Sequence, residues 1–101
     1  MKRTKNMVYN PTTESHELFL YATNDGSIYR QMVTPIINNL RKKAGKGIYE
    51  KEKAIYAWYR VATDASNKYY KDFGYKFSVA DRFTAAVDMG DYYEEEALYN
   101  I

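Results

Sequence analysis

The longest regular pattern in this 101-residue chain is an apolar repeat between Ile48 and Phe73. Its members recur every three or four positions, the period that places side chains on one face of an α-helix. They are Ile48, Ile55, Trp58, Ala62, Ala65, Tyr69 and Phe73. Gly74 follows them, where a glycine favours the end of a helix. The pattern predicts one helix of about 25 residues, whose apolar face must be buried against other elements.

Three shorter amphipathic segments supply helices for it to pack against, at residues 14–23, 28–44 and 78–98. In the second, apolar residues recur at every fourth position, at Ile28, Met32, Ile36 and Leu40, which is a helical stripe. Capping and terminating residues lie at or near the ends of these segments: Asn10 or Thr13 before the first, Gly45 and Gly47 after the second, and Ser78 at the start of the third. Gly90 weakens the middle of the third segment and can split it in two.

Pro35 interrupts the second segment. A proline removes a backbone donor and disfavours helical torsions at the preceding residue, Thr34. Because the segments are joined by short glycine-containing turns, we predict an all-α fold, a small antiparallel bundle of three to four main helices with one kinked or split at Pro35. We expect residues 1–9 to form a flexible basic N-terminal segment and residues 10–101 to form a single helical domain.

Residues 18–33 leave a second interpretation open. Asn24-Asp25-Gly26 lies between two apolar runs, which is also the signature of a β-hairpin pairing residues 19–23 with residues 28–33. Helix formers such as Glu17, Leu18 and Met32 favour the helix, and neither run alternates cleanly. We therefore predict a helix that closes at Gly26 in the left-handed conformation, with the hairpin as the alternative.

Composition removes most of the usual means of catalysis. The chain has no cysteine and one histidine, His16, which lies in no recognisable motif. Glu94, Glu95 and Glu96 should fan around a helix, and Gly45-Lys46-Gly47 is too short for a phosphate-binding loop. We expect no enzymatic activity, cofactor or metal site. No apolar run approaches the roughly 20 residues that cross a bilayer, and no apolar segment follows the basic start, which predicts a cytoplasmic protein.

Twelve tyrosines and an uneven charge distribution indicate binding instead. Tyrosine combines a large ring with a hydroxyl at low conformational cost, which suits contact surfaces. Residues 1–53 carry ten Lys/Arg against five Asp/Glu, and residues 54–101 carry five against eight. This polarity can steer a charged partner, although solvated helix faces also produce it. The candidate binding residues are aromatic or basic: Tyr29, Arg30, Arg41, Lys42, Lys43, Lys46, Tyr49, Tyr59 and Tyr70.

Three binding hypotheses follow from these residues. Exposed tyrosines on the long helix, extended by Tyr92, Tyr93 and Tyr99, can anchor a protein partner or a second copy of the chain. The basic cluster Arg41–Lys46 beside Tyr49 can grip phosphates and stack bases. Cations at a helix C-terminus are, however, favoured by the helix dipole alone, and a pI of about 8.7 is low for a nucleic-acid-binding domain.

The segments Glu17–Tyr21 (ELFLY), Asn24–Gln31 (NDGSIYRQ) and Pro35–Leu40 (PIINNL) resemble a family of small bacteriophage-encoded proteins of uncharacterised function. Tyr49–Ala54, with Trp58 and Ala62, is similar to that family's next helix. The resemblance covers residues 17–75 and implies a protein that acts inside a bacterial host cell.

By analogy with small phage accessory proteins, the resemblance implies a non-enzymatic protein that binds a host protein complex and inhibits or redirects it. A component of anti-viral defence would be one such partner. The alternatives are a small nucleic-acid-binding helical module that uses the Arg41–Lys46 cluster, and a self-assembling structural phage protein.

Overall fold

A computed structural model describes residues 8–99, which form helices joined by short turns and contain no strand within that range. The elements are α1 (Thr13–Thr23), α2 (Gly26–Ile28), a π-helical segment (Tyr29–Val33), α3 (Thr34–Gly45), α4 (Lys51–Phe73) and α5 (Val79–Tyr99). The all-α prediction is confirmed, and residues 18–33 form helices instead of the alternative hairpin.

Helices α1, α4 and α5 pack together, while residues 26–45 form one continuous helical arm whose α3 part packs against α5. Contacts between α4 and α5 run in opposite chain directions, since Lys51 pairs with Asp91 and Thr63 lies near Arg82. These two helices are therefore antiparallel. No helix within residues 8–99 is both long enough and apolar enough to cross a membrane.

The core lies between α1, α4 and α5, with the arm covering one side. Trp58 is fully buried at its centre. Small residues of α4 and α5 are buried in the same core and let these helices approach closely: Ala54, Ala62, Ala65, Ala85 and Ala86. The predicted stripe extends too far at both ends, because Ile48 precedes α4 and Phe73 lies in its last turn, and both are exposed.

Two sequence predictions about helix ends are wrong. The N-cap of α1 is Thr12, instead of Asn10 or Thr13: its hydroxyl accepts from the Ser15 N–H, and the Ser15 hydroxyl accepts from the Thr12 N–H. Gly26 is the first residue of α2 and is not left-handed. Asp25 caps α2 by accepting from the Ile28 N–H. The triplet Asn24-Asp25-Gly26 therefore ends α1 and also begins α2.

Three other predicted helix ends are confirmed. Gly47 and Gly74 have φ of 74° and 76°, the left-handed region that favours glycine, and they follow α3 and α4. The Ser78 hydroxyl accepts from the Asp81 N–H and caps α5. Helix α5 continues through Gly90 without a break.

The disturbance predicted at Pro35 takes the form of a wider helical turn. The Thr34 N–H bonds to the Tyr29 carbonyl, five residues back, which is the π-helical pattern. A proline ring clashes with the carbonyl four residues before it, here that of Gln31. The wider turn accommodates that ring, and the chain continues into α3 in helical geometry.

Candidate binding surfaces

A groove between the arm and the C-terminal half of α5 has a volume of about 280 Å³. We call it the aromatic groove. Its lining residues come from four elements: Thr23, Tyr29, Ile37, Arg41, Tyr92, Tyr93 and Ala97. Tyr29 is 48% exposed and Tyr92 is 51% exposed, while Tyr93 is buried between them. The Arg41 Nε donates to the Ala97 carbonyl at 3.1 Å, which links α3 to α5 across the groove.

The π-helical segment influences which residues of the arm line this groove. Tyr29 and Arg41 are 12 positions apart, which at about 100° per residue would separate them by roughly 120° around an ideal α-helix. The five residues of the π-helical segment lie between them, and its wider turn reduces that separation. Tyr29 and Arg41 consequently line the same groove.

Three phenol rings organise the groove. The Tyr93 ring lies 5.1 Å from that of Tyr92 and 6.1 Å from that of Tyr29, between ring centroids, and it stacks on Trp58 at 5.4 Å. Burial, and then the neighbouring Tyr92 and Tyr29, raise the pKa of Tyr93 to about 12. The Tyr93 phenol is therefore uncharged at neutral pH, and its ring lies buried beneath the two accessible rings of Tyr29 and Tyr92.

A second groove, of about 320 Å³, lies between α3 and α4. We call it the basic groove. Its lining combines apolar residues with three cations and one exposed tyrosine: Pro35, Ile36, Asn39, Leu40, Lys43, Lys53, Ala54, Tyr56, Ala57 and Arg60. No carboxylate lines it among the described residues. The nearest ion pair joins Lys53 Nζ to Glu50 at 3.1 Å, between two exposed side chains.

A third, more apolar groove of about 260 Å³ lies between α4 and α5. Ile55, Phe83 and Val87 form its walls, and Trp58 and Gly90 lie among its lining residues. Lys51 also lines it and pairs with Asp91 at 2.6 Å.

Beneath this third groove, Glu94 is a buried carboxylate that is only 2% exposed. The Trp58 Nε1 donates to its Oε2 at 2.6 Å, and the Tyr49 hydroxyl donates to its Oε1. Both carboxylate oxygens thus have a protein donor, as a buried charge requires. The sequence predicted only that Glu94, Glu95 and Glu96 fan around a helix, and the burial of Glu94 was not predicted. The sequence carried a signal for this contact, since Trp58 was predicted on the apolar face of α4 and a buried indole N–H needs an acceptor.

No group of three or more His, Cys, Asp or Glu within the described residues is arranged to hold a metal ion. His16 is exposed on α1, and its ring stacks near Phe19 with 6.2 Å between centroids.

The predicted binding residues do not form one patch. Tyr29 and Arg41 line the aromatic groove, and Lys43 lines the basic groove. The other predicted basic residues are exposed: Arg30 and Lys42 on the arm, and Lys46 directly after it. Because Arg41 and Lys43 are two positions apart, they point about 200° apart around the helix. The cluster is therefore divided between two sides of α3.

The three remaining tyrosines have different surroundings. Tyr49 is half-buried and bonded to Glu94. Tyr59 packs against the core, with the Arg82 guanidinium 5.7 Å from its ring centroid. Tyr70 is exposed, with Lys76 Nζ 5.5 Å from its ring centroid.

Lys53, Tyr56 and Arg60 line the basic groove but were not among the predicted binding residues. They recur at three- and four-residue spacing on α4, opposite its apolar stripe, and this spacing could have indicated a basic and aromatic face.

No protein-family model, curated protein or solved structure matches this chain.

Proposed function

We propose that this chain is a non-enzymatic binding protein that engages a protein partner through the aromatic groove. The observation that carries the proposal is the convergence of two accessible phenol rings, Tyr29 and Tyr92, with Arg41 in one groove formed by separate elements. Tyrosine and arginine are among the residues that most often dominate binding energy at protein interfaces.

The groove is also ordered before any partner binds. Tyr92 contacts Phe19 edge-on at 5.7 Å and Tyr93 at 5.1 Å, and Arg41 is held by the Ala97 carbonyl. Side chains that are already fixed lose less conformational entropy on association. This preorganisation favours a contact surface over a merely solvated face.

We propose further that the partner is a protein complex of a bacterial host, which this chain inhibits or redirects as a phage-type accessory protein. The resemblance of residues 17–75 to small phage-encoded proteins supports this choice. A component of anti-viral defence is one partner of this kind. The division of the Arg41–Lys46 cluster between two sides of α3 weighs against the alternative of a nucleic-acid-binding module built on that cluster.

Affinity capture from bacterial lysates tests the proposal. The tagged chain should recover a specific host protein, and the double variant Tyr29→Ala/Tyr92→Ala should recover it at least about 10-fold less, because two interface anchors are lost. Tyr75→Ala is the matched control, since Tyr75 is a comparably exposed tyrosine outside the groove.

Two results would overturn the proposal: no specific host protein recovered from several bacterial hosts, or equal recovery by the double variant and the unmodified chain. Tyr59→Ala and Tyr70→Ala, compared with His16→Ala, test in the same assay whether the α4 tyrosines contribute. Light scattering at increasing concentration distinguishes capture of a host protein from self-assembly of the chain.

A further inference from the structure

The basic groove combines an aliphatic floor with positive charge on both sides. Ile36 and Leu40 of α3 face Ala54 and Ala57 of α4 across it. Lys43 lies on the α3 wall, and Lys53 and Arg60 lie on the α4 wall. This surface is distinct from the aromatic groove, with which it shares no lining residue.

The length of the groove matches a short helical segment. Its α3 wall runs from Pro35 to Lys43 and its α4 wall from Lys53 to Arg60. At 1.5 Å of rise per residue, each wall is about 11–12 Å long, which is about two helical turns. An amphipathic helix laid in such a groove would contact it through apolar residues at positions i, i+3 or i+4, and i+7.

The charges of the groove are available to a partner. Lys43 and Arg60 form no ion pair within residues 8–99, and Lys53 pairs only with Glu50, in an exposed contact. An exposed pair of this kind contributes little to stability, so exchanging Glu50 for a partner's carboxylate costs little. Carboxylates flanking the partner's apolar stripe would therefore complement both walls.

The floor favours a protein segment over a nucleic acid. Single-stranded nucleic acids bind through aromatic rings on which successive bases stack, whereas this groove has one ring, Tyr56, beside aliphatic side chains. Leucine or isoleucine side chains fit such a floor, and their burial against it would stabilise a complex.

We infer that the basic groove is a docking site for an acidic amphipathic α-helix of a partner protein. The inference goes beyond the proposed function, because it concerns a different surface and holds whether or not the aromatic groove binds a host protein.

A labelled synthetic peptide tests the inference with the full chain. The peptide has about 15 residues, enough to sample a helix, with leucine at i, i+3, i+7 and i+10 and glutamate on the flanking positions. Fluorescence anisotropy at about 50 mM salt should show saturable binding. A peptide with serine in place of leucine and a peptide with lysine in place of glutamate should each bind at least about 10-fold more weakly, a difference of about 1.4 kcal/mol.

Variants of the chain locate the site. Lys43→Glu/Arg60→Glu should weaken binding of the acidic peptide at least about 10-fold. Tyr56→Ala, at a side chain that is 67% exposed, should weaken it several-fold without unfolding the protein. Lys71→Glu is the control for one charge reversal, because Lys71 is exposed on the same helix outside the groove, and it should leave the affinity unchanged.

Three outcomes would overturn the inference: equal binding of the serine peptide, equal affinity of the Lys43→Glu/Arg60→Glu variant, or tighter binding of single-stranded oligo-dT than of the acidic peptide. None of them affects the result expected for Tyr29→Ala/Tyr92→Ala in lysate capture. The two proposals can therefore fail separately.

Discussion

The carboxylate of Glu94 lies at the α4–α5 contact, where it accepts hydrogen bonds from the Trp58 indole and the Tyr49 hydroxyl. Transferring a carboxylate from water into a core is costly unless donors replace the lost water. Here two aromatic donors do so, and they come from α4 and from the turn that precedes it. Glu94 therefore joins three parts of the chain through a single side chain.

Substitution of Glu94 should reveal this role. Glu94→Ala leaves the buried Trp58 N–H without an acceptor and opens a cavity, so we expect the free energy of unfolding to fall by about 2–4 kcal/mol. Glu94→Gln retains an acceptor and should cost about 1 kcal/mol. Urea unfolding followed by far-ultraviolet circular dichroism measures both. Glu95→Ala, at the exposed neighbouring position, should change stability by less than about 0.5 kcal/mol. Equal values for Glu94→Ala and Glu95→Ala would contradict the assignment.

Asp25 provides a pH-dependent contribution at the start of the arm. The Lys68 ammonium, 2.6 Å away, and then the Ile28 N–H lower its pKa below the ordinary value. A lowered folded-state pKa stabilises the fold above the unfolded value of about 3.9, and this stabilisation is lost as the pH falls through the folded-state pKa. Asp25→Asn keeps an N-cap oxygen but removes the charge.

We therefore expect the chain to be more stable than Asp25→Asn near pH 6, and the difference to shrink as the pH falls below about 4. Urea unfolding at a series of pH values measures it. Asp64→Asn, at an exposed position of α4 that forms no ion pair in the described chain, is the control. A difference that stays constant from pH 6 to pH 2 would show that the ion pair with Lys68 has no effect.

Sequence patterns predicted which side chains bind, but they did not predict which of those side chains share a groove. The Tyr29 and Arg41 side chains were predicted as binding residues and lie together in one groove. The role of Glu94 was missed because a charged residue in a run of three acids is normally solvated. Thr12 was missed as the cap because Asn10, Thr12 and Thr13 are all good cap residues, and tertiary contacts decide between them.

Periodicity was sufficient to predict where most of the helices lie, but it was insufficient to predict which of their residues face each other. The repeats within α3, α4 and α5 predicted these helices, and Gly74 and Ser78 marked two of their ends. The π-helical turn before Pro35 was not foreseen in this form, because a proline signals disruption without specifying its geometry. That turn controls which arm residues face α5, so the aromatic groove could not be assembled from sequence alone.

The contact between α4 and α5 depends on the absence of a side chain at Gly90. A Cβ there would lie 3.1 Å from the Trp58 Cδ1 and 3.3 Å from its Nε1, and the ring cannot move freely because Glu94 holds it. Gly90→Ala should therefore destabilise the protein by about 1 kcal/mol, since overpacking of about 1–3 kcal/mol exceeds the gain in helix propensity.

The matched substitution is Gly45→Ala at the end of α3. Apart from its chain neighbours and its own helix backbone, no atom lies within 4 Å of a Cβ built there, so only the propensity gain applies. We expect stabilisation by about 0.5 kcal/mol. Thermal unfolding of the two variants measures the opposite signs. Stabilisation by Gly90→Ala would show that Trp58 moves readily and that the close approach is unimportant.

Folding redistributes the charge that the sequence divides between a basic first half and a more acidic second half. The basic first half and the more acidic second half do not form two separate faces. Lys43 and Lys53, from the first half, line the basic groove together with Arg60, from the second half. This combination could not be predicted from net charges, because it requires the arm to lie beside α4.

The start of the described chain is joined to the last helix by a series of hydrogen bonds. The Tyr9 hydroxyl donates to Asp88 at 3.0 Å, the Asn10 N–H donates to the Thr84 hydroxyl at 2.9 Å, and the Thr12 hydroxyl donates to Asp81 at 2.8 Å. The three acceptors lie three and four residues apart on α5, so they share one face of that helix. These contacts hold the entry into α1 against the first half of α5.

Thr84→Val tests this connection at its buried member. The substitution preserves shape but leaves the Asn10 N–H without an acceptor, so we expect a loss of about 1 kcal/mol in the free energy of unfolding. Hydrogen exchange at the Asn10 amide should accelerate about 10-fold or more, since local opening then requires less free energy. Thr63→Val is the control, because Thr63 accepts only a long 3.5 Å contact from Arg82 and should leave exchange at Asn10 unchanged. Unaltered exchange at Asn10 in Thr84→Val would mean that the packing of α1, and not these hydrogen bonds, holds the entry into α1 against α5.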